Sequence, residues 1–316
     1  MARRKITSRL WADLSLLVVS AVWGATFVMV KEALSAAGPL TFLALRFSLA
    51  ALVLLPVLAA RRGPIPRSVA VSGAAIGLFL AAGYAFQTAG LQFTSASKAG
   101  FITGLSVVIV PVLAALLLRQ RPAGATLVGV ALATVGLGLL SLGDEVSIEL
   151  GDLLMLGCAV SFALHIVAVG HFAPRRDVLA LTTAQIVAAA LLTGTGALLF
   201  ERPMPGQLEE ILPAAVFTGL FATVAAFYLQ TYAQRFTTPT HTALIFTMEP
   251  VFAGLFGYLL AGERLGARGL AGCGLILAGI LIGQVAGSSF KVQVSSREDP
   301  RARDGSAGRE PQLPAA

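Results

Sequence analysis

The sequence predicts an all-α protein that crosses a lipid bilayer many times, and its composition gives the first two reasons. The chain of 316 residues is 56% hydrophobic and only 12% charged, whereas a soluble domain carries about 25% charged residues. Its mean hydropathy is +0.83. So few charges cannot cover the surface of a water-soluble globule, but they suit a protein whose lateral surface faces lipid.

The third reason is the length of the apolar stretches, since an α-helix of about 20 apolar residues spans a bilayer. Ten such stretches can be marked, separated by short linkers rich in Gly, Pro and charge. The predicted spans are residues 12–31, 40–60, 68–90, 96–118, 125–142, 151–170, 178–200, 211–233, 241–261 and 266–286. The polar segment that follows, 287–316, is expected to be a disordered cytoplasmic tail.

Basic residues predict the orientation of the chain. The net charge of +7 would favour nucleic acid as the partner of a soluble protein, but here the charges lie between apolar stretches, so no nucleic-acid partner is expected. With the N-terminus inside, the predicted outer segments hold only Lys31, Arg202, Arg264 and Arg268. We therefore expect a multi-pass protein of the cell inner (plasma) membrane with both termini in the cytoplasm.

An internal repeat is the most informative feature of the sequence. When residues 81–140 are aligned with residues 224–283, a shift of 143 residues, 14 of the 60 positions are identical. Gln87 then meets Gln230, and Thr94 meets Thr237. A shift of 139 aligns the first predicted span with the sixth, so that Trp23 meets Phe162, Asp13 meets Asp152 and Arg46 meets Gln185.

The repeat predicts two related halves, residues 12–142 and 151–286. Each half has five predicted spans, an odd number, so the second half must insert upside down relative to the first. Inverted repeats of this kind place a shared site near the membrane midplane, which opens alternately to each side. The sequence therefore predicts ten transmembrane helices in two inverted five-helix repeats, with a passage between them.

Several motifs together resemble a known family. The first span reads WGATFVMVKEAL, the fourth begins SASKAGFITGLSVVIVP, and the ninth reads TALIFTMEPVFAGLFGYLLAGERL before a Gly-rich last span. The pattern resembles the EamA-type transporters of the drug/metabolite transporter superfamily; one departure is Gln120, where the first half often has Glu. The resemblance implies a central cavity and the export of amino acids or related metabolites and drugs.

Glu249 is the sharpest candidate for substrate binding because a carboxylate in the middle of a span is costly and by default indicates function. Pro250 follows it, which predicts a kink and a freed backbone carbonyl. The carboxyl group could bind a substrate ammonium or take up a proton, giving possible proton coupling. Alternatively, Glu249 is a protonated or paired residue that locks the ninth span to a neighbour.

Other polar and aromatic residues within predicted spans are weaker candidates for substrate binding. Arg46 could hold a substrate carboxylate, or could instead extend to the outer interface or brace a helix end. His165 could relay protons or be a satisfied packing residue. The remaining candidates are either cavity-lining or packing residues: Gln87, Gln230, Tyr84, Tyr228 and Trp23.

The sequence thus favours a secondary transporter with a small-molecule substrate over other classes. No nucleotide-binding loop, metal-ligand spacing or other cofactor motif occurs, and the two cysteines, Cys158 and Cys273, lie in apolar stretches. A membrane-embedded lipid-modifying enzyme is the alternative, but it needs several catalytic polar residues on one face. We expect no enzymatic activity; the sequence sets neither the substrate, nor the coupling ion, nor the oligomeric state.

Overall fold

The structure is a computed structural model, and it describes residues 2–61, 63–94, 96–141, 149–261 and 266–288. Every regular element in these ranges is helical. The expected disordered tail lies almost wholly outside the described residues, as do most of the predicted outer loop at 143–149 and the loop that contains Arg264.

Thirteen α-helical segments make up the described chain. They are α1 (Ala2–Ala36), α2 (Pro39–Ala60), α3 (Arg67–Gly90), α4 (Ala96–Gly104), α5 (Ser106–Leu118), α6 (Gly124–Ser141), α7 (Leu150–Phe172), α8 (Val178–Gly196), α9 (Pro205–Gly219), α10 (Ala226–Ala233), α11 (Pro239–Phe246), α12 (Met248–Ala261) and α13 (Ala267–Ser288). A 3₁₀ turn, Ala173–Arg175, follows α7, and π-helical segments continue α8 (Ala197–Glu201) and join α9 to α10 (Leu220–Ala225).

Six helical stretches in the described chain are long and apolar enough to cross a membrane. They are Pro39–Ala60, Arg67–Gly90, Ala99–Leu118, Leu150–Arg175, Val178–Glu201 and Pro205–Ala233, and two shorter apolar helices cover Gly124–Leu140 and Ala267–Gly283. Large apolar side chains cover the outside: Leu116, Leu198 and Phe200 are 72%, 72% and 80% exposed. An apolar exterior around long apolar helices is what a lipid environment requires.

One predicted linker is wrong in part. Residues 201–210 were expected to connect two spans, but α9 already begins at Pro205. Proline is favoured at the first helical position because its missing N–H would be unpaired there in any case. The side chain of Gln207 accepts a hydrogen bond from the backbone N–H of Met204 at 3.2 Å and so caps this start.

Two spans are broken at nearly the same place in the repeat, since the shift of 143 residues places the two breaks one residue apart. The helix from 96 to 118 is interrupted at Leu105, and the helix from 239 to 261 is interrupted at Thr247. The predicted kink at Pro250 therefore lies three residues earlier, at Thr247. Because Pro250 has no N–H to offer the carbonyl of Phe246, the helix loses its regular bonding at that turn, and the N–H of Thr247 bonds instead to the carbonyl of Leu244 at 3.3 Å.

The helices form one bundle around a central core. The third helix, α3, packs against α7 and α8, and the first, α1, packs against α12 and α10. The second, α2, lies against α8 and α9, while α5 contacts α7 and α11. The largest core cluster contains Phe42, Phe47, Tyr84, Ile186 and Phe227, so both halves of the sequence contribute to the centre of the molecule.

Glycines allow α6 and α13 to pack with their backbones in contact. A Cβ atom on Gly129 would lie 2.5 Å from the carbonyl oxygen of Gly279, and one on Gly136 would lie 2.6 Å from that of Gly272. Any side chain at these positions would separate the two helices, which is the packing that small residues permit in membranes. The shift of 143 residues maps each of these contacts onto the other.

Candidate functional site

Arg46 of α2 lies inside the bundle with 3% of its surface exposed. Its Nε donates to Oγ1 of Thr223 at 2.7 Å, and its Nη2 donates to the carbonyl oxygen of Ala222 at 3.0 Å and to the hydroxyl of Tyr84 at 3.1 Å. The guanidinium carbon also lies 4.6 Å from the centre of the Tyr84 ring, a distance that favours a cation–π interaction.

Two hydrogen-bond donors of the Arg46 guanidinium, both on Nη1, are unused among the described residues. Among the described residues, Nη1 makes no hydrogen bond and Arg46 has no carboxylate partner within ion-pair distance. The alternative that Arg46 extends to the outer interface is wrong, because the side chain bonds to α3 and to the π-helical segment inside the bundle. The structure therefore presents a buried cation whose charge no described acid balances.

The carbonyl of Ala222 lies in the π-helical segment Leu220–Ala225, and single-turn π segments recur at functional sites. Here the oxygen accepts from Nε1 of Trp23 at 2.9 Å as well as from Arg46. One carbonyl thus joins α1, α2 and the helix that continues as α10.

Gln185 occupies the position in the second half that corresponds to Arg46, and it anchors a neutral network. Its Oε1 accepts from Nε2 of His165 at 2.9 Å, and its Nε2 donates to Oγ1 of Thr231 at 3.2 Å. The His165 ring also packs edge-on against Phe227, with ring centres 5.6 Å apart. His165 is therefore held in place by protein partners, as expected of a satisfied packing residue.

Tyr84 connects the charged and neutral networks. Its ring meets three others edge-on, with centres 5.5 Å from Phe47, 5.1 Å from Phe162 and 6.3 Å from Phe227. Trp23 lies beside the same cluster, with its ring centre 5.5 Å from that of Phe227. Because aromatic rings pack rigidly in such arrangements, the cluster fixes the Tyr84 hydroxyl against Arg46.

Glu249 is the second residue of α12 and faces the centre of the bundle. Its backbone is pressed against α1, since a Cβ atom on Gly24 would lie 2.7 Å from the Glu249 carbonyl oxygen. Its side chain is partly exposed and lies within electrostatic range of Tyr84 and Cys158. Among the residues whose side chains the structure describes, it has no hydrogen-bond or ion-pair partner.

The other predicted residues, Gln230, Gln87 and Tyr228, differ in how deeply they are buried. Gln230 is buried and donates to Oε1 of Gln234 at 3.1 Å, and Gln234 in turn donates to the carbonyl of Ile166 at 2.9 Å. Gln87, its counterpart in the repeat, is only partly buried. Tyr228 is 41% exposed on the outside of α10, apart from the central cluster.

The sequence did not single out Thr223, Thr231 or the Ala222 carbonyl. Gln185 carried a signal, since the repeat aligns it with Arg46, but threonines in apolar helices commonly bond their own backbone and attract no attention. Within the described part of the chain, no group of three or more His, Cys, Asp and Glu residues could hold a metal ion.

The comparisons with known proteins agree with this architecture. The model of the EamA-like transporter family matches residues 10–142 and again residues 149–283. The chain belongs to the EamA-like transporter family. It is therefore a multi-pass membrane protein of a transporter family, and this membership favours a transporter over the lipid-modifying enzyme considered above.

Relatives of this EamA-like chain carry similar names. An uncharacterized transporter of Archaeoglobus fulgidus is 35% identical over 274 residues, which cover 87% of this chain and 86% of that protein. A WAT1-related chloroplastic protein of Arabidopsis thaliana is 26% identical, over 82% of this chain and 66% of that protein. A solved crystal structure with 21% identity superposes with a TM-score of 0.74 over 89% of this chain and 99% of that one, which shows a shared fold.

Proposed function

We propose that this protein is a secondary transporter that exports amino acids or related small metabolites by alternating access through a central cavity. The observation that carries the proposal is the pair Arg46 and Glu249. Both lie in the middle of the bundle, both carry ionisable groups, and neither has an oppositely charged partner among the described residues. Ionisable groups are expensive inside a membrane and are retained where they serve a passage.

The chemistry of the two groups fits a small zwitterion. The free Nη1 donors of Arg46 suit a carboxylate, and charge-assisted hydrogen bonds of this kind are strong in a water-poor site. The Glu249 carboxyl suits an ammonium group. The aromatic rings around Tyr84 provide an apolar wall for a substrate side chain, as ligand sites usually do.

Contacts within the bundle support the proposal of two inverted five-helix halves, residues 12–142 and 151–286. The Gly129–Gly279 and Gly136–Gly272 contacts exchange under the repeat shift, as two-fold related pairs must. The packing of α3 against α7 and α8 likewise has a counterpart in the packing of α10 against α1 and of α9 against α2. Ten transmembrane helices in this arrangement would enclose one site between two gates.

The orientation of the chain is proposed from its loop charges. Lysines and arginines lie mainly in the predicted loops that share a side with the N-terminus, which supports an orientation in the inner (plasma) membrane with both termini in the cytoplasm. Glu249 would then couple export to proton entry by binding substrate and proton in turn.

A topology experiment tests the inverted halves. Arg67 begins α3, and Gly206 is the second residue of α9, the corresponding helix of the second half. Both residues are exposed, and a Cβ atom on Gly206 meets nothing within 4 Å. Single cysteines there, in a background with Cys158 and Cys273 changed to alanine, should react with a membrane-impermeant maleimide from opposite sides of the membrane. Labelling of both from the same side would overturn the inverted arrangement.

A transport experiment tests the function itself. Cells with and without the protein are grown with toxic levels of single amino acids, and the protected ones are then measured for flux in proteoliposomes. We expect Arg46→Gln and Glu249→Gln to reduce flux at least tenfold, while Gly274→Ala, at an open position of α13, retains it. If Arg46→Gln and Glu249→Gln both retained the flux of the wild type, the proposed site would be rejected.

A further inference from the structure

Two buried threonines on one transmembrane stretch hold residues that the repeat aligns with each other. Thr223 accepts a hydrogen bond from Arg46, and Thr231 accepts one from Gln185. The exposed fractions of Thr223 and Thr231 are 0% and 1%. The stretch from Pro205 to Ala233 therefore bonds a charged guanidinium at one threonine and an uncharged amide at the other. The two aligned positions thus contribute different charges to the centre of the molecule.

The hydrogen bonds of Arg46 use two of its three guanidinium nitrogen atoms. Nε donates to Thr223, and Nη2 donates to Ala222 and Tyr84. Because the guanidinium is planar and rigid, holding Nε and Nη2 in place also fixes the direction of the two N–H groups of Nη1.

We propose that Thr223 is a positioning residue that, with the Ala222 carbonyl, aims the Nη1 donors of Arg46 into the central site, so that the cargo must carry an anionic group, a carboxylate or a phosphate. The proposal rests on the function proposed above and narrows its substrate class. It excludes purely cationic amphipathic drugs, which could engage Glu249 but would leave the guanidinium of Arg46 without a counter-charge.

Electrostatics supports this restriction. A buried cation without a counter-charge is destabilising, and a ligand anion that pairs with it relieves that cost on binding. A neutral or cationic cargo leaves the cost in place. Gln185 cannot substitute for Arg46 in binding an anion, since its amide carries no charge and is already engaged by His165 and Thr231.

The experiment uses probes that share a phenyl ring and differ mainly in their charged groups. Phenylalanine carries both charges, 3-phenylpropanoate lacks the ammonium, phenethylamine lacks the carboxylate, and phenyl phosphate carries a phosphate in place of the propanoate chain. Each probe is measured for thermal stabilisation of the purified full-length protein and for inhibition of flux in proteoliposomes. We expect the three anionic probes to stabilise and inhibit, and phenethylamine to do neither; the comparison of 3-phenylpropanoate with phenyl phosphate tells carboxylate from phosphate.

Variants of the threonine separate positioning from structure. Thr223→Val should raise the apparent KM for anionic cargo about tenfold, the loss of one charge-assisted hydrogen bond, with the maximal rate largely retained, and Thr223→Ser should restore it. Thr218→Val is the control, because Thr218 is equally buried on α9 but bonds only to carbonyls of its own helix, with Ala214 at 2.7 Å. It should leave the KM for anions unchanged.

The two proposals fail in different ways. If anionic probes stabilise the protein through Arg46 and Thr223 but no flux is found, the inference stands and the transport function falls. If flux is found but phenethylamine competes as well as 3-phenylpropanoate, the inference is overturned and transport stands. Equal anion stabilisation of the wild type, Thr223→Val and Arg46→Gln would also overturn the inference.

Discussion

A carboxylate oxygen of Asp13 lies 3.0 Å from Nε2 of His241, and this buried contact ties α1 to the start of α11. The repeat aligns Asp13 with Asp152, which instead accepts a hydrogen bond from the hydroxyl of Thr94 at 2.9 Å. The counterpart of Thr94 is Thr237, whose buried hydroxyl has no hydrogen-bond partner in the described chain. The two halves thus have an aspartate at the same position of the repeat, but the hydrogen-bond partners of the two aspartates differ.

Replacing Asp13 by alanine should destabilise the protein. The substitution leaves Nε2 of the nearly buried His241 without this partner, and an unsatisfied buried polar group costs about 1–3 kcal/mol. The measurement is the thermal unfolding midpoint in detergent, where Asp13→Asn should lie nearer the wild type because an amide oxygen still accepts. An alanine variant with an unchanged midpoint would show that the contact contributes nothing.

The glycine contact between α6 and α13 gives a second prediction. Gly279→Ala should lower the free energy of unfolding by about 1–3 kcal/mol, the usual effect of inserting a methyl group into a packed interface, because its Cβ would lie 2.5 Å from the carbonyl oxygen of Gly129. Gly274→Ala on the same helix is the control, since a Cβ there meets nothing within 4 Å. Equal unfolding midpoints for the two variants would contradict the close packing.

Hydropathy and the repeat predicted much of the fold. Long apolar stretches must be helical in lipid, because each backbone group has to be bonded within its own segment, and six spans, including Pro39–Ala60 and Arg67–Gly90, are confirmed by their length and composition. The count of ten and the inversion of the halves stay predictions. The start of α9 at Pro205 was missed because the polar residues after it look like a linker.

The centre of the site could be predicted only in part. Arg46 and Glu249 were visible because charge is rare in apolar sequence, and the repeat drew attention to Gln185. Their partners could not be read from the sequence, since contacts depend on how far each helix is rotated about its axis. The π-helical segment Leu220–Ala225, which contains the Ala222 carbonyl, has no signature in its residues, so the shared acceptor of Trp23 and Arg46 was unforeseen.

The surface contact between Arg61 and Asp177 predicts a limited dependence on pH. Partial burial raises the pKa of Asp177, but the backbone N–H of Ala180 and the Arg61 guanidinium outweigh this effect and hold the pKa below its usual value. The charged form of Asp177 therefore stabilises the fold fully above the unfolded value of about 3.9, and this contribution is lost as the pH falls through the lower folded value.

Asp177 also caps α8, which sets the size of the effect. Its side chain accepts from the backbone N–H of Ala180 at 2.9 Å, so Asp177→Ala should cost roughly 1 kcal/mol as a lost helix cap. Arg61→Ala should cost less, since the pair is exposed and such ion pairs contribute little. Unfolding midpoints measured from pH 7 down to pH 3 test this; an alanine variant at Asp177 as stable as wild type at pH 7 would refute the cap.

Glu249→Gln should abolish the pH dependence of flux. The amide keeps the size and the hydrogen-bonding capacity of the side chain but cannot release or take up a proton. An imposed proton gradient should therefore no longer drive accumulation of substrate. Exchange of substrate at equal concentrations on both sides should continue at a reduced rate. Glu201→Gln is the control for a lost carboxylate, because Glu201 caps the start of α2 through the N–H groups of Leu40 and Thr41, at 2.9 Å and 2.7 Å. The measurement is flux in proteoliposomes across pH 5.5–8.5, with the unfolding midpoint of each variant as a check on folding. If Glu249→Gln follows the same pH–rate curve as the wild type, the coupling proton is carried elsewhere and Glu249 serves the substrate alone.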